Sequence, residues 1–538
     1  MTSRGSRSSL AGVGTLLRFM VRRDRIRLLG WVGGITALQA YFAVGLAAMY
    51  PDEKSLEGIA ALWASPIAAL FTGRGSPGAL DIQHLVVTHY GLFISIFVAL
   101  MAILTVTRHT RAEEQAGRTE LIRGNVVGRN SQLAAALVLT FGMCAALGVL
   151  IPGVLVGQGY GATGAVCYGL SVAACGLAFS GITAACVQVF EFSRAGSGLA
   201  GACLGFGFAI RGLGDMSAVQ DGGLGWLSWL TPLGWSQFVG PLEANNLAPL
   251  LLSVACCLLG AWAAHVLAGR RDLGAGLRAT KLGSPRAGAW LGTPQAAAFR
   301  FQRAGLLGWG ACLFTGGAMY GMFAQVMTTM DNMPSTLVDI MGGQGRVLNG
   351  YICLIGMMMG VTAAIQSVLA VQGLRAEESS GRLESVLSTP VSRRRWLGSW
   401  AGVNALGALG LLLVTGLGLS LGVGFSTHSL ATGLRAFVST ISCVPAIWVI
   451  LAVALFGYAV RPGLVGAAWA LVGFAFAAVI LANLLAIPDW VWRLSPFENT
   501  GRYPEEPLSL AGICALLAIS AALLGGALAA FRRRDLRT

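Results

Sequence analysis

Twelve stretches of seventeen or more mostly apolar residues run through this 538-residue chain, and they leave few folds open to it. They lie at about 28–49, 84–107, 134–156, 164–190, 198–214, 246–268, 306–329, 349–373, 399–422, 436–460, 463–486 and 508–530. A bilayer core needs roughly 20 helical residues, so each can cross it, the fifth with little to spare. The chain is 55% hydrophobic and 11% charged, with a mean hydropathy of +0.70. So few charges do not cover a soluble domain. The fold expected is therefore an all-α integral membrane protein of 12 transmembrane helices. The first run is too long for a signal-peptide core and lacks a convincing cleavage site, so it is kept as a span.

The formal charge of +14 would point to nucleic acid in a soluble protein, but here it is topological. With the N-terminus inside, the segments expected in the cytosol hold 30 of the 37 Lys and Arg residues. That asymmetry is the positive-inside rule and puts both termini in the cytosol of a multi-pass plasma-membrane protein, with no nucleic-acid partner. Arg22, Arg23, Arg25 and Arg27 could add a contact to anionic lipid. All eleven cysteines fall inside expected spans, without disulfide or metal-ligand spacing.

One charged segment occurs twice. Residues 111–120 read RAEEQAGRTE and residues 375–384 read RAEESSGRLE, identical at seven of ten positions at an offset of 264. At the same offset Trp229-Leu-Thr-Pro232 matches Arg493-Leu-Ser-Pro496. Arg270-Arg-Asp-Leu273 recurs as Arg533-Arg-Asp-Leu536, and Leu28-Leu-Gly-Trp31 as Leu306-Leu-Gly-Trp309. An internal repeat on this scale means duplicated units. Two parallel six-helix halves are expected, 1–298 and 299–538. The first has a pre-span connecting helix at about 10–27, a charged loop at 108–133 and a linker at 269–298; the second has the equivalents at 299–305 and 374–398. The Pro- and Trp-bearing segments 215–245 and 487–507 are either re-entrant helices or ordered external loops.

In the second charged loop Leu383, Val386 and Leu387 share a helical face, and the acidic and basic residues lie away from it. Thr389-Pro390 ends that helix and Ser392 can cap the next. The first copy departs from this pattern at 123–130, which implies a weaker or differently shaped contact. A solvated face with local Arg pairs would contribute little. Recurrence of the same acidic positions in both halves favours a rigid lever instead.

What is missing narrows the function. No Walker A sequence exists, and the two lysines, Lys54 and Lys281, follow no phosphate-binding glycines. Every Asp and Glu falls outside the expected spans, Asp81 and Glu191 lying nearest. Proton-coupled transporters carry carboxylates at membrane depth, so a secondary transporter with two parallel halves is disfavoured. Arg211 is the one charge in an apolar run and is expected to snorkel outward. His84 and His89 are expected at the interface. No nucleophile–base pair or His/Asp/Glu cluster suggests an enzyme.

The two RAEE…GR.E segments, followed in the second by LSTPVSRRRWL, resemble the type-2 ABC exporter permeases of actinobacteria. The resemblance is closest to the fused twelve-helix permeases known as exporters of polyketide antibiotics, of the tetronasin-transport type, and it covers nearly the whole chain. It implies that the loop after span 2 of each half carries a coupling helix that docks a separate ATPase. Coupling would then rest on Glu113, Glu114, Gly117, Arg118 and Glu120, and on Glu377, Glu378, Gly381, Arg382 and Glu384. It implies no cofactor on this chain, with ATP and Mg2+ held by two copies of a cytosolic ATPase. It implies alternating access for hydrophobic small molecules such as antibiotics, or alternatively for a lipid or cell-envelope precursor. It also suggests that spans 2, 5, 8 and 11 line the path, where Phe93, Phe97, Phe206, Met357 and Phe474 would form adaptable apolar walls.

Overall fold

The computed structural model describes residues 9–49, 66–74, 81–124, 127–278, 285–286, 288–325, 346–481 and 488–535. Residues 125–126 of the first loop, 279–284 and 287 of the expected linker, and the expected span ends 326–329 and 482–486 lie outside these. Among the described residues there is no strand. The chain divides into two compact units, Met1–Gly283 and Ser284–Thr538.

The first unit contains α1 (Val13–Met49), α2 (Gly91–His109), α3 (Ser131–Gly157), α4 (Ala162–Val189), α5 (Ser193–Val219) and α6 (Leu250–Gly269). The expected connecting helix is not separate from the first span. Both belong to α1, which loses helical geometry at Asp24 (φ −108°, ψ 16°). The Asp24 carboxylate turns there to accept two hydrogen bonds from Arg108 at the end of α2, at 2.6 and 2.8 Å. A side chain drawn out of the helical ladder is an identifiable cause of a bend. Helix α4 packs against α2, α3, α5 and α6. Its small residues permit this: Gly181 on α4 and Gly260 on α6 sit so close that a Cβ on either would strike the other helix's backbone.

The second unit contains α7 (Pro294–Met322), α8 (Val347–Ser379), α9 (Arg393–Thr427), α10 (Val444–Val460), α11 (Gly466–Leu481) and α12 (Leu510–Arg533). Helix α10 is preceded by the amphipathic Leu430–Ile441. The tightest contact in this unit is α7 on α9. Gly317 and Gly321 face Gly418 and Gly422, and a Cβ on any of the four would meet backbone of the opposite helix. Val368, Leu397, Ile450 and Phe531 are buried between α8, α9, α10 and α12.

Among the described residues, eleven helices are long and apolar enough to cross a membrane. Helix α7 is 29 residues long but is not one of them, because its uncharged stretch 305–322 holds six glycines, which lower its hydropathy. The fifth span also differs from expectation. It runs to Val219 rather than 214 and so takes Asp215 inside the helix. A carboxylate does reach membrane-helix surroundings, neutralised one turn away by Arg211.

Candidate functional site

The two charged loops fold alike. Helix α2 ends at His109 and continues as Arg111–Gln115, whereas α8 runs unbroken through Glu377 and Glu378 to Ser379. Each chain then passes through one glycine, Gly117 or Gly381, both at φ +72°, into a six-residue helix, Arg118–Arg123 or Arg382–Leu387. That left-handed conformation is one L side chains adopt at a cost, which explains why this glycine recurs. Across the turn Arg118 donates to Glu113 at 2.7 and 3.0 Å, and Arg382 donates to Glu377 at 2.8 and 2.7 Å. These bidentate pairs fix the angle between the two short helices. Glu113 and Glu377 in turn hold the guanidinium pKa values of Arg118 and Arg382 above the ordinary arginine value. Ser392 caps α9 as expected, accepting from the Arg395 amide at 3.2 Å.

The second glutamate of each copy faces the other way, into its own unit. Glu114 accepts from Arg271 at 2.6 and 2.8 Å, from Arg111 at 2.7 Å and from the Gly274 amide at 2.8 Å. Glu378 accepts from Arg534 at 2.5 and 2.6 Å and from the Tyr458 hydroxyl at 2.6 Å. Arg271 and Arg534 are the same residue of the RRDL repeat that follows the last helix of each unit. The two recurring motifs are therefore two halves of one contact, which reading each motif separately missed. The signal was present in their nearly equal offsets. Each pair is mostly shielded from water, the four side chains being 7–12% exposed. Removing one partner of such a pair costs roughly 3–5 kcal/mol, because it strands a charge.

A third repeated contact supports the second. Arg129, ahead of α3, donates to the Ala268 and Gly269 carbonyls at the end of α6. Arg393, at the matching position and the first residue of α9, donates to the Arg534 carbonyl at 2.5 Å. A cation at a helix C-terminus satisfies carbonyls that have no intrahelical donor.

This geometry splits the ten expected site residues. Glu113, Glu114, Glu377 and Glu378 are occupied in holding the loops. Gly117, Arg118, Glu120, Gly381, Arg382 and Glu384 are exposed at the tips. The expected apolar face also splits: Leu383 is buried and Leu387 packs on the core, but Val386 is 39% exposed.

The expected wall residues scatter. Met357 is buried in the core of its own unit, whereas Phe97 and Phe206 are exposed. Phe93 is half-buried beside Tyr90, and Phe474 stacks on Trp492.

Arg211 does not snorkel. It is fully buried, pairs with Asp215 at 3.1 Å and donates to the Leu70 carbonyl at 2.8 Å. Ser228 donates to the other Asp215 oxygen at 2.7 Å. The pair pins residues 66–74 to α5. His89 is buried with its Nδ1 2.7 Å from the Thr72 hydroxyl, and His84 lies within 4 Å of Asp81 and Glu243. Among the described residues no group of three His, Cys, Asp or Glu could hold a metal.

Two comparisons bear on this arrangement. Residues 291–532 match the family model described as the C-terminal domain of the multidrug efflux system permease Rv1217c. Over 543 residues the chain is 34% identical to the multidrug efflux system permease protein Rv1217c of Mycobacterium tuberculosis, an alignment covering 98% of this chain and 96% of that one.

Proposed function

This chain belongs to the family of the multidrug efflux system permease Rv1217c, and from that premise we propose that it is the membrane subunit of an ATP-driven exporter. Within the family we place it beside the fused twelve-helix permeases that its loops resemble. Its cargo is then a hydrophobic small molecule of the antibiotic or drug class. Two copies of a separate cytosolic ATPase hold ATP and Mg2+ and drive alternating access through the loops. The loops and both termini face the cytosol of the plasma membrane, a reading that the distribution of arginines supports.

One observation carries this reading. Each loop is fastened at its base by a shielded Glu–Arg pair and presents an exposed charged tip, Arg118 with Glu120 or Arg382 with Glu384. A lever that transmits force must be rigid at its root and free at its tip. This sequence has no Walker A pattern, which supports placing hydrolysis on another chain. Phe97 and Phe206 are then the first residues to test as cargo wall.

The test is co-purification with a cytosolic ABC ATPase co-expressed from the same genome. Glu120→Lys with Glu384→Lys reverses one charge at each tip without touching the buried pairs. ATPase retention should fall at least tenfold while the permease keeps its melting temperature. Full retention by this variant would rule the loop tips out as the docking point.

A further inference from the structure

Where α1 bends at Asp24, a cavity of about 400 Å3 opens between α1, α2 and the start of α5. Trp31 and Leu104 give it an apolar wall, and Arg27, Arg108 and Arg194 a cationic one. Arg108 is already committed to Asp24. Arg27 and Arg194 are exposed and have no ion-pair partner among the described residues, so the wall keeps two uncompensated positive charges. Two further lining groups are orphaned. The Thr107 hydroxyl and His109 Nδ1 have no hydrogen-bond partner among the described residues, although Thr107 is 6% and His109 1% exposed. Buried polar atoms are rarely left so, and a pair of them in one wall marks a place that something else completes.

We propose that this cavity binds an anionic phospholipid, its phosphate held between Arg27 and Arg194 and its chains lying along Trp31 and Leu104. Helices α1, α2 and α5 are each long and apolar enough to cross a membrane. The cavity lies at their arginine-bearing ends, the depth at which lipid headgroups sit. A singly or doubly charged phosphate matches the two free guanidinium groups, and arginine meets phosphate with a planar pair of donors. The site belongs to the first unit alone. At the matching positions the second unit has Gln302 for Asp24, Gly305 for Arg27, Gln372 for Arg108 and Gly373 for His109, and of these cavity groups it keeps a counterpart only of Arg194, in Arg461 after α10. The inference stands on the membrane fold and does not depend on what drives transport.

The experiment uses the purified full chain in detergent, read by native mass spectrometry and by thermal unfolding. The probes are phosphatidylglycerol, phosphatidylcholine and inorganic phosphate. Phosphatidylglycerol should be retained and should raise the melting temperature, and phosphatidylcholine should do neither. Arg27→Gln with Arg194→Gln should weaken phosphatidylglycerol binding about tenfold or more, at the scale of one to two interfacial arginines. Ser197→Trp, which fills the cavity without changing charge, should abolish it. Arg300→Gln with Arg303→Gln, on the equivalent helix of the second unit, should leave it unchanged. The proposal falls if phosphatidylcholine binds equally, or if Arg27→Gln/Arg194→Gln or Ser197→Trp binds like the wild type. It also falls if Arg300→Gln/Arg303→Gln weakens binding as much. A response to inorganic phosphate without one to phosphatidylglycerol would replace the lipid with a small-anion site.

Discussion

The two units share a sequence plan but hold their first three helices by different forces. In the first, α1 is tied to α2 by charge: Asp24 takes Arg108, with His109 Nε2 at 3.3 Å, and Glu113 takes both Arg23 and Arg118. In the second, Asp24 is replaced by Gln302, Arg23 by Phe301 and Arg108 by Gln372. There α7 is held to α9 by glycine-to-backbone contact, and Phe301 stacks on Trp400 at 6.1 Å. Yet the loop base is the same Glu–Arg contact in both, and the turn glycine has the same φ. Duplication followed by drift has changed how the helices adhere and left the loop root alone. The root is the part that both copies need in one shape.

The largest expected effect tests that common root. Arg271→Ala and Arg534→Ala should each destabilise their loop by about 3–5 kcal/mol. The two should be alike, read as faster amide exchange over 110–124 and 374–388 respectively. A loss in one loop and none in the other would end the claim that the roots are equivalent. Next comes the first glutamate, where the units should diverge. Glu113 is buried with two arginine partners, and Glu377 has Arg382, whose side chain is 60% exposed. Glu113→Gln should therefore cost roughly 2 kcal/mol, as charge-assisted bonds in a shielded site do. Glu377→Gln should cost under about 1 kcal/mol, as for an exposed pair. Equal losses in melting temperature would erase the distinction. Smallest are Gly117→Ala and Gly381→Ala. Neither would meet a neighbouring atom, so each should cost about 1 kcal/mol from the left-handed backbone alone. Unequal shifts would show a hidden contact at one tip.

Much of this is legible in the sequence. Apolar runs gave the spans, and the Ser392 cap and Thr389-Pro390 stop marked the second loop's end. Two things were not legible, for separate reasons. Counting charges ended the fifth span at 214, because a run of apolar residues cannot show that Arg211 and Asp215 cancel one turn apart. The loop root was hidden by distance along the chain. Arg271 lies 157 residues from Glu114, and Arg534 lies 156 from Glu378, so no local pattern joins them. Met357 is buried in its unit's own core, which periodicity alone does not reveal, because it does not distinguish a face turned to a cavity from one turned to the core.

That separation along the chain also sets an order of assembly. Each loop is synthesised about 156 residues ahead of the arginine that fastens it. At 5–20 residues per second, the ribosome takes roughly 8 to 30 seconds to supply the partner. Through that interval Glu114 has only Arg111 beside it and Glu378 gains only the Tyr458 hydroxyl, so the arginine that completes each root is still missing. The last helix of each unit therefore acts as a latch, closing only once the five before it have been made.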